Sequence, residues 1–403
     1  MLSLYFLSLK EKSSIRNHIL TLRTQCVNYI YNVSIRLQYA MKKPILFSFF
    51  SGSGFLDLGF EHSGFNVGFV NEFHEAFLNA YKHSRIKMKI KEPYYGYHNG
   101  DIRDLISGDG CIELLHKVNE AKGESLVGFI GGPPCPDFSV GGKNKGEYGE
   151  NGILTKCYID AILTHHPDFF IFENVKGLWN TKKHRAFYNR MKDALSERYD
   201  LTDRLKNSIE YGSPQDRDRI FLFGINKKLS ANIAEFPWQK FIKFDRDIAL
   251  NKEIWPNQTG DDANFKLVHE WQRELTISHW FKINDTENHP NAKKHFTPRK
   301  GLTKFMTIRE GDVSRKSYKR LHRNRFSPTA AYGNNEVHIH PYLPRRLSAA
   351  EAMALQSLPK EFELPDDMTL TDMFKTIGNG VPYLAAKGLA DTVFDFLKNQ
   401  NII

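Results

Sequence analysis

Ile45-Leu46-Phe47-Ser48-Phe49-Phe50-Ser51-Gly52-Ser53-Gly54-Phe55 is the stretch whose reading decides the fold. The apolar run Ile45–Phe50 is a strand, and the glycine turn after it ends regular pairing. A G-x-G placed directly after a first strand lets a ligand lie against bare backbone at the carboxyl edge of a sheet. The third glycine of a dinucleotide fingerprint is missing, because Phe55-Leu56-Asp57 follows Gly54.

Outward from this turn, strand-like and helix-like stretches alternate. Asn66–Asn71 reads as a strand and about Glu75–Ser84 as a helix. Leu126–Ile130 is a strand, followed by a helix over about Leu154–Thr164 and the strand Asp168–Phe172. A helix near Lys183–Glu197 precedes two more strands, Leu201–Ile209 and Arg219–Ile225. Units of this length predict an α/β fold whose sheet is mostly parallel and covered by helices on both faces. Residues 227–325 lose the alternation and carry the basic stretches Lys293–Lys300 and Arg315–Arg325, which marks a second, smaller and irregular domain. Helical periodicity returns at Ser348–Leu358, where Ser348 and Glu351 form a capping box, and again at about Ala385–Leu397. The expected division is therefore 1–40, an N-terminal extension that is either helical or a mis-called start; 41–226, the alternating α/β domain; 227–325, the irregular domain; and 326–403, a return segment completing the α/β domain.

The 56 Lys and Arg against 46 Asp and Glu leave a formal charge of +10, which favours a polyanionic partner without requiring one. The four cysteines form no C-x-x-C pair and no His pair lies near them at zinc spacing, so neither a metal site nor a disulfide scaffold is expected. No apolar stretch is long enough for a bilayer and no signal peptide is evident, so a cytoplasmic protein without membrane contact is expected.

Chemistry-bearing residues recur at strand ends. Asn71-Glu72-Phe73 closes the second strand, and its acid suits ribose hydroxyls, although an exposed strand-end carboxylate fits equally. Gly100-Asp101-Ile102 pairs an acid with an apolar residue, as an adenine amino group and ring would need. In sequence order these read as an adenosine site. Gly131-Gly132-Pro133-Pro134-Cys135-Pro136 places a cysteine on a stiff loop after a strand, where a nucleophile and an inert thiol are both compatible. Glu173-Asn174-Val175 follows four apolar residues, so its acid is partly desolvated and suited to donating a proton, or else caps the next helix. Gln215, Arg217 and Arg219 alternate, pointing to one face of an extended chain, where guanidinium groups suit carbonyl or phosphate oxygens, or form Arg–Asp surface bridges.

Together these motifs resemble the DNA (cytosine-5) methyltransferase family of the prokaryotic, restriction-modification type, over roughly residues 44–226 and 326–385. Phe50–Gly54 with Leu58-Gly59-Phe60-Glu61, Pro134-Cys135, Glu173-Asn174-Val175 and Gln215-x-Arg217-x-Arg219 occur in family order. Arg346–Pro359 and Gly378-Asn379-Gly380-Val381-Pro382 complete the set. The sequence departs from the pattern at Ser48, where an acid is usual, at Phe55, at Pro136, and at Asn151-Gly152.

The resemblance implies a Rossmann-like, class I S-adenosylmethionine-dependent methyltransferase fold, with 227–325 as a target-recognition domain. It implies Cys135, Glu173, Arg217 and Arg219 as catalytic residues. S-adenosylmethionine would be held by Phe50, Gly52, Gly54, Glu72, Phe73, Asp101, Ile102, Leu154, Asn379 and Val381. Double-stranded DNA would be met by Ser139, Lys143, Lys145 and Gln215. The substrate base would be flipped out and methylated at C5 after Cys135 adds to C6. A monomer paired in function with a cognate restriction endonuclease is the expectation. An RNA cytosine methyltransferase would share these residues, but the long basic insertion favours duplex DNA. A catalytically dead homologue would usually lack the nucleophile or the Glu, and a nicotinamide oxidoreductase would need the complete G-x-G-x-x-G.

Overall fold

The computed structural model describes residues 42–134, 150–256, 266–297, 302–315, 317–329, 332 and 337–403. Its strands up to residue 226 are, in chain order, β1 (Ile45–Phe49), β2 (Asn66–Asn71), β3 (Tyr97–His98), β4 (Val127–Gly131), β5 (Phe169–Val175), β6 (Tyr199–Asn207), β7 (Gln215–Asp216) and β8 (Asp218–Asn226). The central sheet runs β3-β2-β1-β4-β5-β8-β6. Neighbours from β3 to β5 pair in parallel, and β8 alone runs against both β5 and β6. The reversal follows from chain length. Only residues 208–217 join β6 to β8, too few for the crossover that a parallel pair requires.

Successive residues of each strand enter opposite layers, which explains their unbroken apolarity. Phe170 and Phe172 face one core with Phe47, Phe129 and Tyr158, while Phe169 and Ile171 face the other with Leu46, Phe223 and Phe396. Each fully buried Phe contributes about 1.5–3 kcal/mol of hydrophobic stabilisation.

The helices flanking the sheet are α1 (Phe55–Glu61), α2 (Glu75–Lys87), α3 (Gly108–Glu124), α4 (Glu150–His165), α5 (Lys176–Asn180) and α6 (Lys182–Ser196). Among the described residues, the segment beyond β8 contributes α7 (Arg246–Ala249), α8 (Ile277–Ile283), α9 (Leu302–Thr307), the two-residue strand β9 (Lys319–Arg320) and several short 3-10 stretches. Its small cores form between distant residues, such as Trp255 with Phe326 and Leu275. Phe236 and Trp238 pack back onto the main sheet beside Phe223. The chain returns through α10 (Ala349–Leu355), α11 (Leu370–Asn379) and α12 (Tyr383–Asn399), and α12 lies directly on α1, with Ala386 against Gly59.

Most expected elements are present within one to four residues of their expected ends. The capping box is there: the Glu351 N–H donates to Ser348 Oγ at 3.2 Å and the Ser348 N–H to Glu351 Oε2 at 2.8 Å. That helix stops at Leu355, not Leu358, because Ser357 takes a left-handed φ of 55° ahead of Pro359. Helices α3 and α11 were not expected. Among the described residues no helix is long and apolar enough to cross a membrane.

Candidate active site

The loop after β1 turns back on itself through three left-handed residues, Phe50 (φ 53°), Gly52 (56°) and Gly54 (81°). Glycine is required at position 54 twice over: the conformation disfavours a side chain, and a Cβ would lie 2.5 Å from the Tyr81 ring. The Ser51 N–H donates to the Asn71 carbonyl at 3.2 Å, joining the loop to the end of β2.

Glu72 follows directly. Its carboxylate accepts the Gly52 N–H at 2.7 Å and the His74 N–H at 2.8 Å. Burial pushes its pKa up while these backbone donors pull it down. Phe73 beside it is 71% exposed. Asn71 donates to the Gly100 carbonyl at 2.8 Å, which sets Asp101 alongside. Asp101 is clamped by Arg103, with Nε at 2.9 Å and Nη2 at 2.6 Å, and this pair holds its carboxyl below the usual range. The sequence signal for Arg103 is its place two residues after Asp101, on the 3-10 turn that Asp101 caps. Ile102 is buried; Leu154 on α4 and Phe50 pack against the same core. Asn379 ends α11 exposed, and Val381 is buried. A bare glycine turn, two strand-end carboxylates and an exposed aromatic ring lie along one sheet edge. Those acceptors and that ring fit a nucleoside bearing ribose hydroxyls and a flat base.

A buried polar network underlies the loop. Ser48 Oγ donates to Asp57 Oδ1 at 2.8 Å, where the family resemblance would put an acid at position 48. Burial pushes the Asp57 carboxyl from 3.8 up to about 6, opposed by the Arg85 guanidinium. One arginine faces two acids here, Asp57 and Glu61, so one acid favours its proton. A carboxyl with a raised folded pKa stabilises the fold below its unfolded pKa, and that contribution is lost as pH rises through the folded value. Asp57→Asn is therefore expected to shrink the fall in stability between about pH 4 and pH 7, by on the order of 3 kcal/mol. Urea midpoints of both proteins across this range check it; superimposable profiles would refute it.

At the end of β5, Glu173 is buried and its Oε1 lies 2.7 Å from Arg219 Nε. Burial pushes the Glu173 carboxyl up, with Arg219 and then Arg217 pulling it down. The side chain of Arg219 is 12% exposed. Register explains the meeting, because Val175 pairs with Arg219 across the antiparallel β5–β8 ladder. A Cβ on Gly132 would come within 2.5 Å of Glu173 Oε2, so only glycine lets the strand-end backbone approach this carboxylate.

Arg217 is buried and donates from Nη2 to the Gly378 carbonyl at 2.7 Å. Gln215, expected at the DNA, is wholly buried and donates to the Leu355 carbonyl at 3.1 Å. Its amide ties the 215–219 stretch to α10. Gln215 and Arg217 thus do face one way, as the alternation implied, but toward the return segment; Arg219 alone meets Glu173. Cys135, Ser139, Lys143 and Lys145 lie outside the described residues.

Residues 46–395 match the family model of C-5 cytosine-specific DNA methylases. The chain is 56% identical over 371 residues to the type II methyltransferase M.NmeDI of Neisseria meningitidis serogroup C, covering 92% of this chain and 88% of that protein. It is 28% identical over 381 residues to the type II methyltransferase M.FnuDI of Fusobacterium nucleatum, covering 87% and 95%. Among solved structures, an Escherichia coli prophage-encoded protein described as a DNA modification methyltransferase aligns with a TM-score of 0.62 at 22% identity, over 89% of this chain and 100% of that one. A mutant of Spodoptera frugiperda DNMT2 aligns with a TM-score of 0.53 at 14% identity, over 87% and 100%. At such identities these structures speak for the fold alone, and that fold is the Rossmann-like one of class I methyltransferases.

Proposed function

Belonging as it does to the C-5 cytosine-specific DNA methylase family, the chain is a DNA (cytosine-5) methyltransferase, and we propose that it methylates one specific duplex sequence by covalent addition of Cys135 to C6 of a flipped-out cytosine. The observation that carries this reading is the Glu173–Arg219 pair at 2.7 Å, buried at the end of β5 and packed against Gly132, three residues before Cys135 in the chain.

C5 of cytosine is a weak nucleophile. A bond from Cys135 Sγ to C6 shifts the ring's electrons to C5 and makes that carbon nucleophilic. Glu173, with its raised pKa, gives a proton or hydrogen bond to N3 and so draws density from C6. Arg219 orients the ring through O2, and Arg217 anchors the same stretch to Gly378. S-adenosylmethionine, when bound, supplies the electrophilic methyl group. Loss of the C5 proton then expels Cys135 as thiolate. Glu72 and Asp101 hold the ribose and adenine of the cofactor against the Gly52–Gly54 loop, with Phe73 and Ile102 at the base and Phe50, Leu154, Asn379 and Val381 around it.

A base inside a duplex is closed to this attack, so the substrate nucleotide is extruded. Residues 227–325 form the target-recognition module, and Ser139, Lys143 and Lys145 contact the strand being opened. The enzyme acts as a monomer in a prokaryotic cytoplasm, alongside a restriction endonuclease of the same specificity; the type II designation of its relatives supports the pairing. Bisulfite sequencing of DNA from cells expressing the protein is expected to show 5-methylcytosine at one short sequence throughout the genome. Modification confined to RNA would overturn the DNA assignment.

A further inference from the structure

The loop proposed above to cradle the cofactor is held residue by residue, by side chains from three separate elements. Gly52 donates its N–H to Glu72 at the end of β2, at 2.7 Å. Ser53 Oγ meets Thr376 Oγ1 of α11 at 2.7 Å, in a buried contact spanning 323 residues of sequence. Gly54 accepts at its carbonyl from Arg85 Nη2 of α2, at 2.8 Å. Glu72 is already assigned to the cofactor, whereas Arg85 touches nothing in the proposed chemistry.

Arg85 is nonetheless an unusual residue. Its side chain is 1% exposed, so its charge has been taken out of water at considerable cost and must be compensated in place. Glu61 supplies the counter-charge, with Oε2 at 2.9 Å from the same Nη2. The guanidinium carbon lies 4.2 Å from the centre of the Tyr81 ring, and Nη1 reaches Ser84 Oγ at 3.4 Å. Each of these contacts fixes the guanidinium, and the direction left for Nη2 is the Gly54 carbonyl. That carbonyl also accepts the Leu58 N–H at 3.0 Å, the first hydrogen bond of α1. Both lone pairs of one oxygen are therefore used, one by the helix and one by Arg85. Gly54 is the left-handed residue that turns the loop into the helix, so a rigid donor at its carbonyl sets the angle at which the loop backbone meets a ligand.

We infer that Arg85 is a positioning residue for the cofactor: it holds the Gly54 turn in the binding conformation before the ligand arrives, and binding then orders less of the chain. The inference rests on the reading of Ser51–Gly54 as the S-adenosylmethionine loop.

Calorimetry with S-adenosylmethionine, together with thermal unfolding, separates this role from mere stabilisation. Arg85→Met removes the Gly54 bond and the ion pair, and should raise the cofactor Kd by about tenfold or more, as loss of a hydrogen bond from a charged donor implies. Glu61→Gln removes the counter-charge but leaves the Arg85 donor in place, so it should lower the melting temperature while keeping Kd within about threefold. In the Met variant KM for the cofactor should rise with Kd, while kcat at saturating cofactor and affinity for duplex DNA stay near wild type. Wild-type cofactor affinity in Arg85→Met, or losses of affinity that simply track melting temperature in both variants, would overturn the role. Should Arg85→Met not fold, Arg85→Lys carries the test. Its shorter reach serves Glu61 at the expense of Gly54, so its Kd should rise above that of Glu61→Gln, and equal values would refute the inference. Failure of the wild-type protein to bind S-adenosylmethionine would instead strike the reading of the loop itself.

Discussion

Cys135→Ser is expected to abolish methyl transfer to DNA, by at least about 10³-fold, while S-adenosylmethionine binding stays intact. A serine hydroxyl at neutral pH is almost wholly protonated and is a far poorer nucleophile than a thiolate. The adenosine contacts proposed here, Glu72 and Asp101, stand at the ends of β2 and β3, on strands separate from the one that leads to Cys135. Transfer of a labelled methyl group to duplex DNA measures the first quantity and calorimetry the second. Appreciable methylation by the serine variant would remove Cys135 from the mechanism.

Glu173→Gln should lower turnover by roughly 10²–10⁴-fold, the usual contribution of a positioned proton donor, with cofactor affinity nearly unchanged. An amide can hydrogen-bond N3 but cannot give it a proton, and it turns the 2.7 Å ion pair with Arg219 into a neutral contact. The pH profile gives a second reading. Burial raises the Glu173 pKa, so its protonated form persists to higher pH than an ordinary carboxyl would, and wild-type turnover should fall as pH rises through that value. The Gln variant should lack this fall. An unchanged alkaline limb in the variant would assign the titration to another group.

The parts of the molecule legible in its sequence are those with local causes. Phe169-Phe170-Ile171-Phe172 is buried on both faces, and its unbroken apolarity announces a central strand. Glu72 and Glu173 are legible as acids because they end such runs, and the structure puts both at the carboxyl edge. Helix α3 escaped because it buries only Leu114, Val118 and Ala121 and opens on Gly108-Asp109-Gly110, which reads as a turn. The alternation of Gln215 with Arg217 and Arg219 says which residues share a face, not what covers that face. The cover is the Leu355–Gly378 region, more than a hundred residues further on. Arg85 is hidden for the same reason: its partners Gly54 and Glu61 lie on the preceding loop and helix. In 227–325 the determinants are single contacts and very short pairings that leave no period to read, as where Arg320, in a two-residue strand paired with His338–Ile339, also donates from its side chain to the carbonyls of His340, Pro341 and Leu343.

The covalent bond between Cys135 and cytosine in DNA can be captured directly. A duplex carrying 5-fluorocytosine at the site mapped by bisulfite sequencing is incubated with the protein and S-adenosylmethionine, and the product is denatured, digested and mapped. Fluorine cannot leave C5 as a proton does, so the enzyme should stay trapped, with the adduct on Cys135. An adduct on Cys111 or Cys157, or no adduct on a sequence whose ordinary cytosine is methylated, would contradict the account.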